Sequence, residues 1–134
     1  MRSFELAGID HVVLRVRDID RMLAFYRDVL GCTLVRHNEP LGLWHLSAGS
    51  SLIDLVTIDG ELGAAGGAGP GAEGRNVDHV ALKVSPFDAD AIRSWLHSHG
   101  IETGDAVVRF GAHGEGLSIY LSDPEGNGLE LKQV

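Results

Sequence analysis

Asp10-His11-Val12-Val13-Leu14-Arg15-Val16 recurs as Asp78-His79-Val80-Ala81-Leu82-Lys83-Val84, with five of seven positions identical and a basic residue at the sixth in both copies. The offset is 68 residues in a chain of 134, so the second half repeats the plan of the first. Each copy alternates in the way a half-buried strand does: Val12, Leu14 and Val16 share one face, and His11, Val13 and Arg15 share the other. The second copy divides identically, with His79, Ala81 and Lys83 opposite its aliphatic set.

A helical pattern follows each copy. Residues 18–30 carry Met22, Leu23, Phe25, Tyr26, Val29 and Leu30 and stop at Gly31; residues 88–99 carry Ile92, Trp95 and Leu96 and stop at Gly100. Acidic residues in both first turns suit the free amides and the dipole there. Strand-like segments come next, at 33–36, 43–47 and 51–58 in the first half and at 106–110, 117–122 and 129–133 in the second. Each half therefore reads β-α-β-β-β. The predicted class is α+β: one domain over residues 1–134, made of module 1 (8–58), a linker (60–74) and module 2 (76–134). The Gly- and Ala-rich linker reads as a flexible connector, and Asp123-Pro124-Glu125-Gly126-Asn127-Gly128 as a tight turn before the last strand.

The chain is 44% hydrophobic and 22% charged, enough apolar content for a core. Its net charge of −8 opposes a phosphate backbone or an anionic bilayer, so neither nucleic acid nor membrane is an expected partner. Residues 1–10 lack the apolar run of a secretory signal and no stretch approaches a membrane span, which makes a cytoplasmic location the expectation. Cys32, the single cysteine, reads as a small apolar filler.

If each aliphatic strand face packs under the helix that follows it, both histidines turn to the opposite face. The last strand of each module adds a carboxylate there: Asp54 within Leu52-Ile53-Asp54-Leu55-Val56, and Glu130 between Leu129 and Leu131. A carboxylate flanked by leucines is costly to bury without compensation. Two imidazoles and one or two carboxylates, set at matching points of two copies, form the donor set of a divalent metal with open positions.

The chain resembles the vicinal oxygen chelate superfamily, which includes glyoxalase I, methylmalonyl-CoA epimerase, extradiol dioxygenases, fosfomycin-resistance thiol transferases and bleomycin-binding proteins. The resemblance rests on Ile9-Asp10-His11, Ala24-Phe25-Tyr26 followed by Leu30-Gly31, Val77-Asp78-His79, and Asp123-Pro124-Glu125-Gly126-Asn127 ahead of Leu129-Glu130-Leu131. It implies two tandem βαβββ modules forming a cup-shaped mixed sheet with helices outside, a homodimer, and a small-molecule substrate. It also implies His11, His79 and Glu130 as ligands of one divalent ion (Ni, Zn, Mn, Co or Fe), with Asp54 where glyoxalase I has a fourth ligand, usually glutamate. Arg15 matches a glyoxalase I arginine that holds a glutathione carboxylate. Two positions depart from the glutathione-using pattern: Asp54 itself, and Ile58 where an asparagine is usual.

The chemistry implied is isomerase or lyase chemistry of the glyoxalase I or epimerase type, with Glu130 or Asp54 as the base. Extradiol ring cleavage on ferrous iron and metal-free ligand sequestration of the bleomycin-resistance type stay open as alternatives. The Gly-rich stretch 110–116 places Arg109, His113 and Glu115 near a strand end, as a candidate substrate loop or lid or else an ordinary exposed hairpin, and Ser118 and Tyr120 alternate with apolar neighbours so as to line a pocket. His97 and His99 fall at the end of the second helix as solvated residues; the face of His45 is left open between packing and pocket polarity. Gly69 to Gly74 formally matches a dinucleotide-binding spacing, but a strand follows it where a helix is required.

Overall fold

The computed structural model describes all residues, Met1–Val134. The first module runs β1 (His11–Val16), α1 (Ile19–Leu23) continuing as a π-helical turn (Ala24–Val29), β2 (Thr33–Asn38), β3 (Leu43–Ala48) and β4 (Ser51–Thr57). After α2 (Glu61–Ala64), the second runs β5 (Val80–Val84), α3 (Ala89–Ser98), β6 (Val107–Gly111), β7 (Gly114–Ser122) and β8 (Gly128–Gln133). The strands form two four-stranded mixed sheets of the same topology, β1-β4-β3-β2 and β5-β8-β7-β6. In each, the first strand pairs parallel with the last, and the remaining pairs are antiparallel. The two-module expectation therefore holds.

Both long helices begin where the sequence says they should. The Asp18 and Asp88 side chains accept from the backbone N–H groups of Arg21 and Ala91, satisfying donors that the helix itself cannot. Gly31 ends the first helix at φ +83°, a conformation that costs a β-carbon-bearing residue energy. The helix expected over 18–30 is α-helical only to Leu23 and widens to i→i−5 bonding beyond it, as in Leu30 N–H donating to the Phe25 carbonyl.

One core serves both halves. Leu14, Val16, Ile53 and Leu55 from the first sheet, Met22, Phe25 and Tyr26 from the first helix, Leu96 from α3, and Ile119, Leu121, Leu129 and Leu131 from the second sheet form a single buried cluster. Cys32 packs at its margin, and burial pushes its thiol pKa up. Trp95, read as a core position, is instead half exposed and donates its indole N–H to the Val29 carbonyl, tying the two helices together.

The turn before β8 is a staple between modules. Buried Asp123 accepts from the Tyr26 hydroxyl at 2.7 Å, from the Asn127 side chain and from the backbone N–H groups of Glu125 and Asn127. Asn127 in turn accepts from Asn76, whose amide brackets the backbone N–H and carbonyl of Arg15 on the free edge of β1. Glu125 accepts from the amides of Arg17 and Asp18, where β1 passes into the helix.

The linker is not the flexible connector its composition suggested. It folds as α2 and returns over the first sheet, where the Arg15 guanidinium donates to the carbonyls of Gly63, Gly66, Gly67 and Ala68. Glycine is required at Gly63, since a β-carbon there would stand 1.8 Å from the Thr57 carbonyl oxygen.

Candidate functional site

Strand alternation sorts the side chains as expected. The burial of Leu14 and Val16 on β1, and of Leu129 and Leu131 on β8, commits those faces to the core, so His11, Asp54, His79 and Glu130 all project from the faces turned away from it. The carboxylates are deep, with side chains 4% and 8% exposed for Asp54 and Glu130; the imidazoles of His11 and His79 are 46% and 41% exposed. Each module thus carries a buried acid under a half-open histidine.

The two pairs share a further feature. Nδ1 of His11 is 2.7 Å from Oδ1 of Asp10, and Nδ1 of His79 is 2.7 Å from Oδ2 of Asp78. A carboxylate only accepts, so in each ring Nδ1–H donates to its aspartate and the ring is held with Nε2 turned the other way. Those Nε2 atoms face the acids, at 3.9 Å from Oδ2 of Asp54 and 3.3 Å from Oε1 of Glu130. Hydrogen bonding to Asp10, with the Asp54 charge adding to it, holds His11 above the ordinary imidazole pKa. The His79 hydrogen bond, helped by the Arg75 charge, holds Asp78 below the usual carboxylate range. The sequence reading assigned Asp10 and Asp78 no part in the site, although their signal was present as the repeated Asp-His dipeptide.

Imidazole nitrogen and carboxylate oxygen are suitable donors for a divalent ion. Within one chain, however, no three His, Cys, Asp or Glu side chains form a group able to hold an ion. The structure therefore brings the four expected ligands together only as two histidine–carboxylate pairs, one on each sheet.

The remaining expected residues separate into three groups. Ser118 is fully buried beside Glu130 and donates to its Oε2 at 2.6 Å, while Tyr120 stands edge-on to His79 at 6.4 Å between ring centroids, with Arg109 over its ring at 5.8 Å. His113 lies in the exposed two-residue turn of the β6–β7 hairpin, so the stretch expected as a loop or lid is an ordinary tight hairpin. Arg15, expected against a substrate carboxylate, instead spends its guanidinium on the linker carbonyls.

His45 enters the site from outside the expected set. It pairs with Asp54 across β3 and β4, and its Nδ1 lies 2.8 Å from Oδ1 of that acid. Leu46 beside it is buried in the core, and alternation from that one residue would have turned His45 toward Asp54. His97 and His99 stay at the end of α3 among Thr103, Ser98 and Trp95. A cleft of about 950 Å³ runs between the first helix and the connection after α3, and none of the four expected ligands lines it. No helix is long and apolar enough to cross a membrane.

This arrangement of paired modules has its counterpart in known proteins. The chain belongs to the Glyoxalase/Bleomycin resistance protein/Dioxygenase superfamily, whose profile matches residues 8–131. It is 32% identical over 126 residues to virulence protein STM3117 of Salmonella typhimurium, covering 93% of this chain and 83% of that protein. The crystal structure of STM3117 superposes with a TM-score of 0.76 at 30% identity, over 97% of this chain and 98% of that one. Lactoylglutathione lyase of Haemophilus influenzae is 30% identical over 129 residues, 90% of this chain and 88% of that protein. Metallothiol transferase FosB of Staphylococcus haemolyticus is 25% identical over 130 residues, 94% and 83% respectively.

Proposed function

We propose that this protein is a homodimeric, divalent-metal-dependent isomerase or lyase that acts on a small substrate with adjacent oxygens. The observation that carries this reading is the duplicated Asp-His-carboxylate arrangement, with each Nε2 directed at a buried acid. Similarity to a lactoylglutathione lyase and to a metallothiol transferase supports it. Because the two histidine–acid pairs lie on separate sheets of one chain, each site takes one pair as a half-site from each of two protomers: His11, with Asp54 beside it, from one, and His79 and Glu130 from its partner, with His11, His79 and Glu130 as the ligands.

When bound, such an ion stabilises negative charge on a substrate carbonyl oxygen and acidifies the neighbouring C–H. The chain's own residues divide the remaining work. Glu130, held by Ser118 and closer to its histidine, serves as a ligand; Asp54, farther from its histidine and fixed by His45, takes and returns the proton. Tyr120 and Arg109 border the second half-site as substrate contacts. Glutathione is not the favoured co-substrate, since the Arg15 guanidinium is occupied by the linker and Ile58 offers no polar group.

Elemental analysis of protein purified without chelator or tag metal, and after anaerobic reloading with Fe, Mn, Ni, Co or Zn, tests this reading alongside the His11→Ala and His79→Ala variants. About one ion per chain in the parent and none in either variant is expected, with solvent deuterium entering the C–H of carbonyl substrates. Exclusive iron uptake would favour ring-cleaving oxygenation, and no uptake of any metal would favour a ligand-sequestering protein.

A further inference from the structure

Lys132 follows Glu130 by two residues on β8 and projects from the same face. It is 8% exposed, and its Nζ is the one buried side-chain nitrogen or oxygen in the chain with no hydrogen-bond partner. An ammonium carries three donors and no acceptor, so enclosing it without a counter-ion is a cost that the fold has not offset internally. Its stem is accommodated by two glycines. A β-carbon at Gly111 would stand 2.9 Å from the Lys132 Cε, and one at Gly116 would stand 3.1 Å from Nζ. The hairpin β6–β7 is therefore cut away where the lysine crosses it.

Charge on this face is also lopsided. Lys83 is the register partner of Lys132 on β5, and Arg109 occupies β6 opposite Gly116, so three cations share one face of a chain whose net charge is −8. The nearest acid in sequence, Glu130, is already committed to Ser118 and His79. In the first module the equivalent positions are neutralised. Val56 stands two residues after Asp54 and is buried, and Arg15 on β1 is spent on the linker that covers that sheet. The two modules thus differ at these positions: a buried valine and a linker-bound arginine in the first stand where the second has two lysines.

We infer that Lys132, flanked by Lys83 and Arg109, anchors an oxyanion group of the substrate, a carboxylate or a phosphate, on the second-module face beside Glu130. The inference deepens the proposed function and rests on its assignment of this face to substrate. An oxyanion supplies the acceptors that Nζ lacks, and its position next to Glu130 sets which end of the substrate faces the histidine pair. Lysine serves here as a point charge on a flexible stem, adjustable to either oxyanion.

The test uses the dimeric protein stripped of metal, so that oxyanion binding is measured apart from metal uptake. Inorganic phosphate and acetate are titrated separately by calorimetry and thermal shift against the parent, Lys132→Met, Lys83→Met and, as a control exposed on the first helix, Arg27→Met. The parent and Arg27→Met are expected to bind at least one of the two anions with a rise in melting temperature. Lys132→Met is expected to lose at least tenfold in affinity while melting no lower than the parent without anion, because an unpaired charge has been replaced by an apolar stem of similar length. Lys83→Met is expected to fall between them. Phosphate binding without acetate would identify a phosphorylated substrate, and the reverse a carboxylate. Unchanged affinity in Lys132→Met, or no anion binding by the parent, would overturn the inference even if metal uptake is normal.

Discussion

Nδ1 of His79 lies 2.7 Å from Oδ2 of Asp78, and that single hydrogen bond decides which face of the imidazole is offered to Glu130. Removing the aspartate frees the ring to rotate and to change tautomer without touching any ligand. Asp78→Ala is expected to weaken divalent-metal affinity about 10–100-fold. Competition with a coloured chelator measures this, and Asp78→Asn, whose amide oxygen still accepts from Nδ1, should recover part of the loss.

The two carboxylates should not be interchangeable. Glu130 approaches its histidine to 3.3 Å, whereas Asp54 stays at 3.9 Å and is shared with His45. Glu130→Gln is expected to abolish metal retention. Asp54→Asn is expected to retain the ion and to lose deuterium incorporation into substrate. Equal metal loss in both variants would make Asp54 a ligand on the same footing as Glu130.

Tyr26 and Asp123 are both buried, and burial with the Asp123 charge beside it drives the Tyr26 phenol far above its ordinary pKa. Tyr26→Phe removes a hydrogen bond to a carboxylate that ties the first helix to the turn before β8. A loss of about 1.5–3 kcal/mol is expected in urea unfolding.

Arg15 holds the linker by four carbonyls, so its effect should appear as backbone order. Arg15→Met is expected to open residues 60–74 to limited proteolysis while the sheets resist. Gly66→Ala should act similarly, since its β-carbon would meet the Arg15 Cζ at 2.7 Å.

Cys32 supplies the pH dependence. Burial raises its thiol pKa, so the folded chain keeps the proton at a pH where an unfolded thiol, with a pKa of about 8.5, has begun to lose it. Its contribution to stability is whole below that pH and falls as the pH rises toward the folded value. Alkylation at pH 8.5 should be slower in the native protein than in urea; equal rates would show the thiol to be open.

Much of this molecule was legible in its sequence because alternation and repetition are local. The Asp-His repeat, the aliphatic strand faces and the acids among leucines were enough to place His11, Asp54, His79 and Glu130 on faces turned away from the core, and Asp18 and Asp88 marked the helix starts. What escaped the reading depends on contacts between segments distant in the chain. Whether Arg15 meets substrate or the linker is decided by carbonyls about 50 residues away, and glycine composition cannot report that those carbonyls converge. His45 acquires its role only when β3 registers against β4, and Asp123 only when the first helix brings Tyr26 to it. Nothing in the sequence singled out Lys132; only the packing of β6, β7 and β8 encloses its ammonium without an acceptor. The period of a strand determines which side chains share a face; only the packed tertiary structure determines what each of them then meets.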